Sequence, residues 1–192
     1  MYHKGWEMLE LMGWTPAWLS RTVHTLLKYV PGYNHLTHWW VKRKFKKVLD
    51  FGCGQGITLL ELRAKDKIDI IGLDPYSPAK SSHIYRQQLA DTHFPNNAFD
   101  GIFSIETVEH LPNVREVFAE LSRILKPGGV LLVQTRRLED PDYSDQQGKW
   151  FYLREPKTHV SIYSKTSMRT IAKESGFRDV RFRGVRLARF VK

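Results

Sequence analysis

Cysteine is almost absent from this chain. Cys53 is the one example in 192 residues, which excludes an intrachain disulfide and fits a reducing compartment. Long apolar stretches are missing too. The run Val-Leu-Leu-Val at residues 130–133 falls far short of the roughly 20 residues that span a bilayer. The first ten residues hold no apolar core followed by small side chains, so they do not read as a signal peptide. These absences set the expectation of a cytoplasmic protein without a membrane span. Repeats, Ser/Gly linkers and low-complexity blocks are also absent, and the length suits one domain, 1–192, with a proper core. Acidic residues are in short supply: 20 Asp and Glu stand against 30 Lys and Arg, a net charge of +10. That balance attracts nucleic acid, anionic lipid or a phosphorylated small molecule, unless the basic surface is simply unused.

What is present divides along the chain. Residues 1–45 are rich in aromatics and histidine and predict a helical lid, with helices near residues 2–12 and 16–29. Pro16 suits a helix start, and Pro31-Gly32 suits a stop. Residues 46–136 alternate strand and helix signals. Strands are expected at 47–51, 68–73, 85–90, 99–105 and 130–135, with helices at 57–65 and 114–125. Residues 137–164 form a polar, aromatic excursion, read as an acceptor-side insertion. A last helix at 166–175 is closed by Gly176, and strands at 178–183 and 185–191 flank Gly184. Strands joined that tightly are antiparallel neighbours. The expected architecture is α/β: a mostly parallel sheet with one reversed strand near an edge and helices on both faces. Ten residues between Asp74 and Tyr85 are too few for an ordinary helical crossover. The helix there should be vestigial, and the sheet face it leaves open should be covered by something else.

The first strand runs straight into Gly52-Cys53-Gly54-Gln55-Gly56 and then a helix. Glycines there permit a tight turn and a close ligand approach. The spacing is G-x-G-x-G, not the G-x-G-x-x-G of pyrophosphate-binding loops. Asp50, two residues before the first glycine, would repel a pyrophosphate but suits a ligand bearing an ammonium and a sulfonium. Asp74, followed by Pro75, closes the second strand, where an acid can accept both hydroxyls of a ribose. Asp91, followed by Thr92, closes the expected third strand, where it could accept from an adenine amine, although the pair also makes good turn chemistry.

Together these residues resemble the class I S-adenosylmethionine-dependent methyltransferases. Val48-Leu49-Asp50-Phe51-Gly52-Cys53-Gly54-Gln55-Gly56 looks like the family's first motif and Ile71-Gly72-Leu73-Asp74 its second. Phe99-Asp100-Gly101-Ile102-Phe103-Ser104 looks like its fourth strand, and Leu125-Lys126-Pro127-Gly128-Gly129 the turn before the fifth. The resemblance implies a Rossmann-like seven-stranded sheet with its last strand reversed, and an enzyme using S-adenosylmethionine and releasing S-adenosylhomocysteine. It implies a cofactor site of Asp50, Gly52, Cys53, Gly54, Gly56, Asp74, Pro75, Asp91, Thr92 and Ser104, with Cys53 packing beside the cofactor and not serving as a nucleophile.

Methyl transfer is an in-line displacement that mainly needs an aligned acceptor and, where required, removal of its proton. The expected acceptor is a small molecule, methylated at oxygen. Candidate residues follow the fourth strand, at Glu106-Thr107-Val108-Glu109-His110, and lie in the late excursion, at His159 and Tyr163. His110 or His159 could be the general base, since imidazole exchanges protons near neutral pH. Tyr163 could orient the acceptor. Glu106, Glu109 and His110 share a face on a helical turn, and with His159 could hold a divalent ion. That arrangement looks like small-RNA 3′-end 2′-O-methyltransferases and metal-dependent quinone-biosynthesis O-methyltransferases. The metal is kept as an option and not adopted, because E-x-x-E-H followed by Leu-Pro also occurs in family members not known to need one. Trp39, Trp40, Trp150, Phe151 and Tyr152 could stack on a flat acceptor or simply pack a lid. Two basic stretches, at residues 42–47 and from Arg178 to Arg189, could meet phosphates or be solvated faces. The competing readings are an RNA methyltransferase, a cofactor-binding protein without activity and an NAD-dependent redox enzyme.

Overall fold

The computed structural model describes residues 45–56, 68–141, 143 and 159–192. The chain divides into two compact units, Met1–Lys42 and Arg43–Lys192, and every described residue belongs to the second. The expected helices near 2–12, 16–29 and 57–65, and most of the 137–164 insertion, lie outside the described residues.

Seven strands form one sheet: β1 (Lys47–Phe51), β2 (Asp69–Leu73), β3 (Ile84–Tyr85), β4 (Phe99–Ile105), β5 (Leu125–Gln134), β6 (Asp179–Arg183) and β7 (Leu187–Val191). Their order is β3-β2-β1-β4-β5-β7-β6. The pairs β1–β2, β1–β4, β2–β3 and β4–β5 are parallel, and β7 runs antiparallel to both β5 and β6. The sheet is therefore the expected Rossmann-like one with its last strand reversed. The direction of winding changes at β1, between β2 and β4, and in open α/β sheets ligands bind beyond the strand ends at such a switch point.

Two helices, α1 (Val114–Ile124) and α2 (Lys165–Glu174), pack on one face. Helix α1 buries Val117, Phe118, Leu121 and Ile124, the spacing of a single helical stripe. These join Leu49, Ile102, Leu131, Val133, Met168, Ile171 and Phe190 in one core. Helix α2 starts with a capping box. The Ser167 N–H donates to the Ser164 hydroxyl at 3.0 Å, and the Ser164 N–H donates to the Ser167 hydroxyl at 2.9 Å. Gly176, at φ +79°, ends it as expected. Among the described residues no helix is long and apolar enough to cross a membrane.

Two strands differ from expectation. The third strand covers only Ile84 and Tyr85, and residues 89–91 form a 3-10 turn instead. Its one neighbour, β2, ends at Leu73 opposite Tyr85, so the next residues have no strand to pair with. The fifth strand begins at Leu125, five residues early. Leu125 pairs with Phe99 and Val130 with Gly101, so Pro127-Gly128-Gly129 is a bulge inside the strand. Lys192 stitches it, the Gly128 N–H donating to its carbonyl at 2.9 Å. The second crossover, residues 74–83, contains no helix. It is a chain of turns in which the Ser77 and Ser81 hydroxyls accept the N–H groups of Ala79 and His83, each at 3.2 Å.

Candidate active site

The glycine loop hangs from the switch-point end of β1. The Gly52 N–H donates to the Leu73 carbonyl at 2.8 Å, tying the loop to the end of β2. Gly52, Gly54 and Gly56 all have positive φ, at 77°, 52° and 71°. Their surroundings differ. A Cβ on Gly52 would lie 2.2 Å from the Thr107 hydroxyl oxygen, and one on Gly56 would lie 2.7 Å from Ile84 Cδ1. A Cβ on Gly54 would meet nothing within 4 Å. The outer glycines are thus required by packing, while the middle one faces open space where a ligand can approach the backbone.

Two carboxylates frame this loop. Asp74 accepts the Gly54 N–H at 2.9 Å on one oxygen and the Tyr76 N–H at 2.8 Å on the other. Asp50 is buried in β1, and burial, reinforced by Asp74, holds its carboxyl well above the usual range. Asp74 adds to the cost of ionising Asp50, and a cationic ligand would offset that cost. The pair therefore fits the ammonium and sulfonium of S-adenosylmethionine and opposes a pyrophosphate. Burial, then Asp50 and Asp74, pushes the Cys53 thiol up, which keeps it protonated and poorly nucleophilic.

The remaining expected cofactor residues are more dispersed. Pro75 follows Asp74 directly in the turn. Asp91 stands exposed on the 3-10 turn and not at a strand end, and the Thr92 hydroxyl donates back to the Leu89 carbonyl at 2.7 Å. Ser104 is fully buried. Strand alternation puts it on the face of Ile102, which packs in the α1–α2 core, whereas Asp50 pairs with Phe103 on the opposite face.

The acceptor side begins where β4 ends. Glu106 takes φ +48°, a left-handed conformation that turns the chain into a short 3-10 stretch, Val108–His110. The Glu109 carbonyl accepts two N–H groups, from Val160 at 2.9 Å and Ser161 at 3.0 Å. The Tyr163 hydroxyl donates to the Val108 carbonyl at 2.9 Å. These bonds lay the returning segment 159–163 along the turn and bring the His110 and His159 rings to 4.9 Å, centre to centre. Ligand atoms of Glu109, His110 and His159 all lie within 4.8 Å of one another. Glu106 is not part of that trio. Burial first, then the neighbouring Glu109, pushes its carboxyl up to about 8, against a smaller opposite pull from Arg186 and Arg136. Tyr163 is buried, which pushes its hydroxyl up, and with that hydroxyl bonded to Val108 it orients the turn bearing His110.

Gln134 and Arg136 carry no signal in the sequence, and Arg186 stands there only as part of a basic stretch. All three lie where β5 ends against the β6–β7 turn. No local motif marks them, because the antiparallel pairing of β5 with β7 is what brings Arg186 to Thr135.

This geometry, a glycine loop between two acids at the switch point of a seven-stranded sheet, agrees with a match to the methyltransferase-domain family over residues 17–181. The chain belongs to that family. It is a methyltransferase domain of the S-adenosylmethionine-dependent kind. It is 34% identical over 98 residues to a sterol 24-C-methyltransferase of Yarrowia lipolytica, covering 44% of this chain and 26% of that protein. It is 36% identical over 103 residues to a ubiquinone biosynthesis O-methyltransferase of Aliivibrio fischeri, covering 47% of this chain and 44% of that protein. The matched stretches thus span less than half the length of these relatives. A solved S-adenosylmethionine-dependent methyltransferase from Archaeoglobus fulgidus has the same fold, with a TM-score of 0.62 at 23% identity, covering 84% of this chain and 71% of that one. So does an O-methyltransferase family protein from Burkholderia thailandensis, with a TM-score of 0.66 at 16% identity, covering 92% and 57%.

Proposed function

We propose that this methyltransferase domain moves the methyl group of S-adenosylmethionine onto an oxygen of a small-molecule acceptor, using a histidine as general base. The observation that carries the reading is the pairing of His110 with His159 at the end of the strand next to the cofactor loop. Glycine loop, Asp50 and Asp74 would hold the cofactor, with Asp74 taking the ribose hydroxyls. The acceptor would lie beyond β4, where one imidazole takes the hydroxyl proton as the oxygen attacks the methyl carbon and the sulfonium leaves as a thioether. The buried Glu109 carboxyl, within 4.8 Å of both imidazoles, would stabilise the imidazolium that forms when it is ionised. The relatives include both C- and O-methyltransferases by name. A proton-accepting pair fits attack by a hydroxyl, whose proton must go somewhere. Turnover of His110→Ala and His159→Ala tests this. The larger of the two losses should be roughly 100-fold to 10,000-fold, with S-adenosylhomocysteine affinity retained. Full turnover in both variants would remove the base.

The trio of Glu109, His110 and His159 favours a second reading. Its donors are close enough to bind a divalent ion with small side-chain adjustments, and a bound ion would lower the pKa of an acceptor hydroxyl. On the leading reading, exhaustive chelation leaves the rate unchanged. A loss restored by magnesium or manganese would select the metal-assisted route, and label entering RNA would move the acceptor to nucleic acid.

A further inference from the structure

We propose that Arg137 and Glu139 form a clamp that fixes Tyr163, and through Tyr163 the turn bearing His110, so that Arg137 is a positioning residue for methyl transfer. The assignment rests on the histidine-base reading above. Arg137 is fully buried, and its guanidinium joins pieces far apart in the chain. Nη2 donates to the Gly184 carbonyl, in the β6–β7 turn, at 2.7 Å. Nε lies 3.5 Å from the Glu139 carboxylate. The guanidinium carbon lies 5.0 Å from the centre of the Phe182 ring on β6, and that of Arg169, on helix α2, lies 5.1 Å from the same ring. A flat, delocalised cation can donate at its edge and stack by its face at once, which an ammonium cannot.

Such a group is costly to keep. Taking a guanidinium out of water is unfavourable, and one carboxylate at 3.5 Å, itself 33% accessible, offsets only part of that. Nε and Nη1 have no hydrogen-bond partner, and buried donors left unmatched add to the cost. An apolar side chain of similar volume often serves stability as well or better. It could not hold a turn carbonyl, a carboxylate and a ring together, and those three attachments keep residue 137 in one place.

That place matters because of what residue 137 pairs with. It forms a parallel bridge with Tyr163, and the Leu138 N–H donates to the Tyr163 carbonyl at 2.8 Å. Two residues further on, Glu139 Oε1 accepts the Lys165 N–H at 2.8 Å, in the first turn of α2. Tyr163 is thus held at its own backbone and just beyond it. Its hydroxyl reaches back to the Val108 carbonyl, and Val108 opens the 3-10 stretch that ends in His110. A shift of Tyr163 would pass directly to His110. None of these contacts involves the glycine loop or Asp74, so the cofactor side should not feel it.

Two readouts on the full chain test this in Arg137→Lys, which keeps the charge but loses the fork and the flat face. With S-adenosylhomocysteine bound, wild type should show a proton–proton NOE between the His110 and His159 rings, and the variant should lose it. Transfer of label from saturating S-adenosylmethionine into the small-molecule and lipid fractions of an extract should fall about tenfold to a hundredfold, with the KM for S-adenosylmethionine unchanged. Adding Tyr163→Phe should lower it little further, because both changes cut one chain of contacts. A clamp that only stabilises the fold would lower the urea midpoint and leave ring contact and turnover alone, and that result would overturn the proposal. So would losses that multiply in the double variant. If Arg137→Lys fails to fold, Glu139→Gln, which keeps an oxygen for the Lys165 N–H but no charge for Arg137, is read by the same criteria. Failure of the base reading looks different: turnover would survive His110→Ala and His159→Ala although Arg137→Lys still separated the rings.

Discussion

Residues 52–56 keep their shape through the backbone: three glycines at positive φ, one N–H tied to the end of β2, and Asp74 accepting the Gly54 N–H. Residues 106–110 keep theirs through visitors. The Tyr163 hydroxyl, 55 positions away, and the backbone of Val160 and Ser161 hold that turn. The two regions nonetheless touch, since the Thr107 side chain occupies the space a Cβ on Gly52 would need. The cofactor side is therefore a local construction that any acceptor chemistry can reuse, and the acceptor side is a long-range one that can be re-specified by changing a distant segment. Loops positioned by a rigid sheet commonly divide labour in this way.

Gly52→Ala strikes where the two regions meet and should have the largest effect. The new methyl would collide with Thr107 at a φ that L residues rarely adopt, with a cost on the order of 1–3 kcal/mol from the backbone alone and loss of cofactor binding. Gly54→Ala, with open space around its Cβ but a φ of +52°, should bear the backbone cost without the collision, so its urea midpoint should fall less than that of Gly52→Ala while cofactor affinity is lost as well. Equal unfolding midpoints for the two variants would erase the distinction between a packing glycine and a ligand-facing one.

Asp74→Ala should weaken S-adenosylhomocysteine binding by about tenfold to a hundredfold, the worth of one or two hydrogen bonds to a charged group. Calorimetric titration reads it directly, and an unchanged dissociation constant would move the ribose contact elsewhere.

The last comparison concerns Glu106, on the acceptor side. Its carboxyl is pushed up to about 8 in the fold from an ordinary value of 4.5. Between those values the folded state holds a proton that the unfolded chain has released, so stability falls as pH rises through that window. Glu106→Gln should flatten this slope and raise the urea midpoint at pH 8 relative to wild type, with little change at pH 4. A wild-type slope that survives in the variant would place the shifted proton on another group.

The contrast also explains what could be read from the sequence. Strand β4, helix α1, the capped helix α2 and the β6–β7 hairpin follow from local periodicity and caps, and the glycine loop with Asp50 and Asp74 from contiguous motifs. The third strand is shorter than its pattern suggests because its length is set by where β2 stops, and β5 starts earlier because its bulge is held by Lys192. On the acceptor side the metal option does bring His159 to Glu109 and His110, but no local signal carries that meeting, which depends on the Glu109 carbonyl accepting from residues 51 and 52 positions on. Gln134 and Arg186 left no local trace for the same reason.

The most direct test of the account is transfer of a labelled methyl group from S-adenosylmethionine into an extract of the source cells, sorted into nucleic-acid, protein, lipid and small-molecule fractions, with the double variant His110→Ala/His159→Ala as control. The account predicts label in the small-molecule or lipid fraction, as a methyl ether or ester, that falls with the control. Label confined to nucleic acid or protein, or none from a chain shown to bind the cofactor, would contradict it.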